Sequence, residues 1–255
     1  MCYDVTSGTK ALIKYAKHRG DDPRYIAALE KILEEWIQTL KAHYYVSGFA
    51  HPKLMVFTND KPDLPQAFNW GLIPTWTKDS ASAKTMSNYT LNARAETIFE
   101  KPAFKNPAKN KRCLIYIDAF YEHHHANKQT YPFHISMKDE TPLCLAGLWD
   151  EWVNKETGEI IKSVSIVTTK ANDTMKKIHN NPKLDEARMP VILPKEKQNI
   201  WLEENDEKKL QKLFVPFDDN MLKYYTVGRL KGKTAVGDIA EAETEKIYTE
   251  LFFKR

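Results

Sequence analysis

The eleven residues 112–122, RCLIYIDAFYE, decide how the rest of the chain is read. They mix β-branched, aromatic and small apolar side chains without helical spacing, which is the pattern of a strand. With a two-residue period, one face carries Cys113, Ile115, Ile117, Ala119 and Tyr121, and the other Leu114, Tyr116, Asp118, Phe120 and Glu122. The first face reads as core. The second sets two carboxylates among aromatics. A carboxyl against aromatic surface is desolvated, which moves its pKa towards that of a proton carrier at neutral pH. Ordinary acids on a solvent-facing strand give the same pattern.

Further strands follow on both sides of this one. KLMVFT (53–58), FNWGLI (68–73), TYPFHISM (130–137), PLCLAGLWDEWV (142–153), IIKSVSIVTT (160–169), RMPVIL (188–193) and MLKYYTV (221–227) read as strands, and residues 172–180, 195–203 and 206–213 as helices. Ahead of residue 50 the period changes. Residues 9–19 and 23–42 read as helices, the second with Ile26, Leu29, Ile32, Leu33, Trp36, Ile37 and Leu40 in an apolar stripe behind an Asp22-Pro23 start. There is no fixed-period repeat, no alternation of strands with helices and no GxGxxG, which excludes a doubly wound nucleotide-binding fold. The expectation is an α+β protein. It has a single compact domain, residues 1–255, with a mainly antiparallel, barrel-like sheet, flanking helices and an N-terminal helical insertion at about 9–42.

Composition narrows the class. With 42% hydrophobic and 11% aromatic residues the chain can bury a core, which excludes disorder. A net charge of +4 permits an anionic partner without demanding one. Three cysteines, Cys2, Cys113 and Cys144, are too few and too scattered for a disulfide framework. No CxxC pair suggests zinc, and the run EHHH at 122–125 has no further ligands at metal spacing, so no metal and no cofactor are expected. No leader-like apolar region opens the chain and no 18 apolar residues run together, so the expected setting is the cytoplasm, without a membrane partner.

The chain opens MCYDVTSG. Aminopeptidases usually remove the initiator methionine when residue 2 is small, and Cys2 would then carry an α-amine and a thiol on one carbon skeleton. Four more stretches bring polar chemistry onto separate elements: NWGLIPTW (69–76), LNARAET (91–97), KANDTMKKIHNN (170–181) and EARMPVIL (186–193). They supply an amide, an acid, an imidazole and cations, the inventory that a covalent site requires.

Taken in order, the initial MC, WGLIPTW, LNARAET, RCLIYIDAFYE, AGLWDEW, IVTTKAN, IH and RMPVIL resemble the SRAP family, the SOS response-associated peptidase-like or abasic site processing proteins, over nearly the whole chain. The resemblance implies a barrel-like α+β fold that binds single-stranded DNA and DNA junctions at abasic sites, as a monomer. It also implies that Cys2 captures the abasic aldehyde in a thiazolidine, with lyase activity as a companion. By the same resemblance Asn92 orients the terminal residue and sugar, Glu122 is the acid/base carboxylate and His179 protonates the sugar or adduct. Arg94 would clasp a phosphate. Trp70 and Trp76 are candidates for stacking on bases, Trp70 equally for the core. Arg188 is either a phosphate contact or a structural ion-pair partner. The chain departs from the family in three places. Cys2-Tyr3-Asp4 stands where CGR is typical, Thr77 follows Trp76, and the segment from His179 to Arg188 is long. A cysteine peptidase built on Cys2, His179 and Asn92, and a non-catalytic single-strand binding module, are the competing readings.

Overall fold

The computed structural model describes residues 2–7, 22–24, 26–27, 30–31 and 42–251. The helices expected over 9–19 and 23–42 therefore fall almost wholly outside the described residues. In chain order the strands are β1 (Asp4–Ser7), β2 (His43–Ser47), β3 (Lys53–Thr58), β4 (Lys61–Trp70), β5 (Asn92–Arg94), β6 (Arg112–Ile117), β7 (Ala119–Ala126), β8 (Gln129–Met137), β9 (Leu143–Val153), β10 (Ile160–Lys170), β11 (Arg188–Pro190) and β12 (Leu222–Thr226). The α-helices are α1 (Ser80–Tyr89), α2 (Lys105–Asn110), α3 (Asp173–Ile178), α4 (Lys195–Glu203) and α5 (Glu207–Gln211). Among the described residues no helix is long and apolar enough to cross a membrane.

Strands β4, β3, β6, β9 and β10 pair in that order, and β10 returns to β4, so the five close into a barrel. The second sheet runs β12-β8-β7-β1-β2 and its pairings are antiparallel. This is the α+β, barrel-like architecture that the sequence implies. One core cluster joins Val56, Cys113, Ile115 and Ile166 of the barrel to Val5, Phe120 and Ile135 of the second sheet. Another packs Leu114, Tyr116 and Leu148 against Trp201 and Leu202 of α4.

The stretch 112–122 is not one strand. It bends at Asp118, leaving the barrel as β6 and entering the second sheet as β7. The bend shifts the side-chain phase, so Phe120 joins Cys113, Ile115 and Ile117 in one core while Tyr121 turns to another cluster. Both faces of β6 are buried, which corrects the expectation of one core face and one polar face. A two-residue alternation carries across a chain only as long as the chain stays in one sheet.

The stretch NWGLIPTW turns sharply at Gly71, whose φ of +116° is open to glycine, and whose added Cβ would lie 2.6 Å from the Ser87 carbonyl oxygen. The turn separates the two tryptophans. Trp70 is fully buried and donates its indole N–H to the Leu91 carbonyl at 2.8 Å, so it is a core residue and the base-stacking alternative for it is withdrawn. Trp76 is 57% exposed. Trp70→Ala should cost about 3–5 kcal/mol of unfolding free energy, for the large cavity left in the core. The urea midpoint measures it, and a loss below about 1 kcal/mol would mean the site can collapse around the gap.

Candidate active site

The start of the chain lies between two strands. β1 pairs with β2 on one side and with β7 on the other, in register Asp4↔Tyr121 and Val5↔Phe120. This pairing brings Cys2 and Tyr3 to the edge of β7 where Glu122 stands. Cys2 is fully buried, its carbonyl accepts from Asn92 Nδ2 at 2.8 Å, and the Asp4 backbone N–H bonds its sulfur. Burial pushes the Cys2 thiol well above its usual pKa, with the Glu122 charge adding to the effect.

Asn92 and Arg94 share one face of β5, with Ala93 buried between them, because strand side chains alternate. β5 runs parallel to β10 in register Asn92↔Ile166 and Arg94↔Thr168. Asn92 Oδ1 is buried and has no hydrogen-bond partner among the described residues. On the outer side, Asn92 and Arg94 line a groove of about 470 Å3 with Trp76, Tyr89, Thr90 and Lys101. Trp76 is held out by its own loop. Asp150 Oδ2 accepts from the Thr75 backbone N–H at 3.0 Å, and Trp152 donates its indole N–H to the Thr77 carbonyl at 2.8 Å. The AGLWDEW stretch thus anchors the loop that WGLIPTW displays. Tyr89, 80% exposed at the end of α1, and Lys101 are groove residues that the sequence reading passed over. An aromatic two residues ahead of LNARAET was the available signal.

His179 ends α3. The helix starts at Asn172, whose Oδ1 accepts from the Met175 N–H at 2.8 Å, and His179 caps its other end. His179 Nδ1 donates to the Arg188 carbonyl at 3.0 Å, which fixes the neutral tautomer with Nε2 as the lone-pair nitrogen. Glu122 Oε1 lies 3.7 Å from Nδ1, an ion-pair distance rather than a hydrogen bond. Arg188 itself is 2% exposed. Its guanidinium forks onto Glu96 at 2.7 and 3.2 Å, reaches Glu186 at 3.2 Å and donates to the Thr168 carbonyl at 2.7 Å. Arg188 is therefore buried in an ion pair, as its structural alternative had it. Its acidic partner Glu96 comes from LNARAET, so two of the motifs lock together behind the histidine.

Glu122 and His179 line a cleft of about 350 Å3 with Tyr3, Asp4, His123 and Lys231. Burial raises the Glu122 carboxyl to about 7, against an opposing pull from the amino-terminal charge. Burial, helped by the same amino-terminal charge, lowers His179 to about 4. The pair is thus a carboxyl that exchanges its proton near neutral pH beside an imidazole that stays uncharged. Of the EHHH run, His123 borders the cleft, and burial, with Lys231 and other neighbours, holds it at about 4. Among the described residues no group of three or more His, Cys, Asp or Glu side chains is placed to hold a metal ion.

Such a chain is a barrel protein that presents its own first residues to an amide, a proton-exchanging carboxyl and a neutral imidazole. The sequence profile described as SOS response associated peptidase (SRAP) matches residues 16–234, and the chain belongs to that family. Its relatives include a Bacillus subtilis protein named abasic site processing protein YoqW, 39% identical over 63% of this chain and 68% of that one. A Xenopus tropicalis protein named abasic site processing protein HMCES is 32% identical over 60% of this chain and 50% of that one. A solved structure from Bacteroides thetaiotaomicron superposes with a TM-score of 0.76 at 33% identity, covering 89% of this chain and 92% of that one.

Because the folded protein holds the Glu122 proton more tightly than the unfolded chain does, stability falls as pH rises through the Glu122 titration. His179 works in the opposite sense over much of the same range, between about pH 4 and 6.5, and it is common to wild type and variant. Glu122→Gln should therefore match wild type below about pH 4 and gain on it up to about pH 8, by on the order of 2–3 kcal/mol. Urea unfolding over a pH series reads the difference, and a difference that does not change with pH would place the carboxyl outside the buried site.

Proposed function

We propose that this chain processes abasic sites in single-stranded DNA by covalent capture on Cys2, once the methionine ahead of it is removed. The relatives' printed names support the abasic-site reading, and the single observation that carries the capture chemistry is the arrangement around Cys2: its carbonyl tied to Asn92, with Glu122 and His179 at the same sheet edge.

The open abasic sugar offers an aldehyde at C1′. An α-amine has a pKa of about 7.7–8.0, so a useful fraction is neutral at physiological pH, whereas a lysine at about 10.4 is almost wholly protonated. The amine adds to C1′ to give a carbinolamine. Glu122 delivers a proton to the carbinolamine hydroxyl, water leaves, and the nitrogen gives its proton back to the Glu122 carboxylate, so that a neutral imine forms and Glu122 is protonated again. The Cys2 thiol then adds across the C=N bond, its sulfur to carbon and its proton to nitrogen by way of Glu122, closing a five-membered ring. Ring closure within one residue has a large effective molarity. A carboxyl near 7 suits both halves, being half protonated at working pH. The unpartnered Asn92 Oδ1 suits an amine or sugar hydroxyl donor. The imine also acidifies the C2′ proton, which opens a lyase route by β-elimination.

The groove beside Asn92 fits the flanking strand. Arg94 and Lys101 meet phosphate, and Trp76 and Tyr89 offer ring faces that stack on any base. The peptidase reading fares worse on the thiol. A cysteine peptidase needs a lowered thiol pKa, and burial here moves Cys2 the other way.

Four variants test the reading on a single-stranded oligonucleotide with one abasic site. Cys2→Ser should lose the stable adduct, and a non-removable residue ahead of Cys2 should abolish it, since a secondary amide nitrogen cannot form the imine. Full-rate capture by the extended protein would refute the proposal. Glu122→Gln should slow adduct formation by about 10²–10⁴-fold with DNA affinity largely kept. Arg94→Ala should weaken binding and flatten the salt dependence by about one phosphate, and an unchanged slope would remove Arg94 from the DNA contact.

A further inference from the structure

Asp4 stands where the family resemblance leads one to expect a basic residue, and it is 2% exposed. Its carboxylate has two partners. The Tyr45 hydroxyl donates to Oδ1 at 3.2 Å, and the Lys231 ammonium lies 2.7 Å from Oδ2. Lys231 is about half exposed and sits with Arg229 and Leu230 on the wall of the cleft that Glu122 and His179 also line. Two buried carboxyls, Asp4 and Glu122, therefore border one cleft around the chain's first residues, with one ammonium set against the first of them.

We infer that Asp4 and Lys231 act as a positioning pair for this site, in which Asp4 keeps the proton on Glu122 and Lys231 limits how strongly it does so. The inference rests on Glu122 being the proton carrier of the proposed capture. Its physics is that of two carboxyls sharing a low-dielectric region: the charge of one disfavours ionisation of the other, and a cation beside the first screens that effect. Asp4 raises Glu122, behind burial, and raises the Cys2 thiol, behind burial and Glu122. Lys231 in turn lowers His123, behind burial, while Asp4 raises it.

The other groups that face Glu122 are accounted for. The amino-terminal charge, Cys2 and Tyr3 come from the segment ahead of β1, His123 and His125 from β7 itself, His179 from the end of α3 and Arg229 from the stretch after β12. Across the sheet its β8 neighbour is the apolar Phe133. The Asp4–Lys231 pair is the part of this surrounding that can be changed without altering a group assigned to the chemistry.

The test is the carboxyl-carbon NMR titration of Glu122, assigned with Glu122→Gln, in wild type, Asp4→Asn and Lys231→Met, together with the pH profile of the capture rate. Asp4→Asn should move the Glu122 midpoint down and Lys231→Met should move it up, each by about half to one pH unit, with the rate profiles following. The double variant should fall nearer Asp4→Asn, since Lys231 works through Asp4. A pair that only held the fold together would change stability and leave the midpoint in place, which would overturn the inference, as would shifts of the same sign in both single variants. Midpoints that move while the rate profile stays fixed would overturn it too. Lys231 is exposed enough for its variant to fold, so the upward shift remains measurable if Asp4→Asn unfolds. The titration needs no DNA. Opposite midpoint shifts in a protein that captures no abasic site would support the pair and refute the function.

Discussion

Four residues hold the site together. Strand β1, Asp4–Ser7, is pinned between β2 and β7, and that pairing places Cys2 and Tyr3 beside Glu122. The Asn92 amide then ties the Cys2 carbonyl to β5, and β5 is itself carried by the barrel strand β10. A chain start is ordinarily the least ordered part of a domain. Here it is bonded from both the second sheet and the barrel edge, so the first residues inherit the rigidity of the core. That is the geometric condition for chemistry at a terminus: a frayed end would lose the advantage of holding its reacting groups together.

Behind this front, the charges are paired and buried. The Glu96–Arg188 fork satisfies a buried guanidinium, and the same residue's carbonyl sets the His179 tautomer. Glu122 and His179 are then set apart by environment. One is raised to about 7 and the other lowered to about 4, mainly by the same burial acting on opposite charge types. A proton resident on the carboxyl near neutral pH is a state that Glu122 would not hold alone in water, and burial keeps the imidazole alongside uncharged into the acid range where a free one would charge.

Much of the fold was legible because the longer strands announce themselves. KLMVFT coincides with β3, and TYPFHISM, PLCLAGLWDEWV and IIKSVSIVTT lie within a residue of β8, β9 and β10. β-branched and aromatic residues over five or more positions leave little room for another reading. β1 and β2 were not legible, being short strands on either side of a long intervening segment, and β5 is only three residues long. RCLIYIDAFYE was read as a strand but with the wrong phase, because nothing in its alternation marks the bend at Asp118 where it changes sheets. The site divides similarly. Cys2, Asn92, Glu122 and His179 came together only through the family resemblance, and the structure gathers them. Trp70 and Arg188 each left two readings open by type, and the structure buries one in the core and the other in an ion pair, since residue type does not reveal burial. Asp4, Tyr89 and Lys231 drew no binding or chemical role from the sequence because their place depends on long-range packing.

The most direct measurement is intact mass spectrometry of the purified protein before and after incubation with a single-stranded oligonucleotide carrying one abasic site, followed by fragmentation of the adduct. The account predicts a protein that starts at Cys2, an adduct weighing the sum of the two partners less one water, and all of the added mass on the first residue. An adduct of the same mass located on a lysine, or formed equally well by protein that still carries Met1, would contradict it.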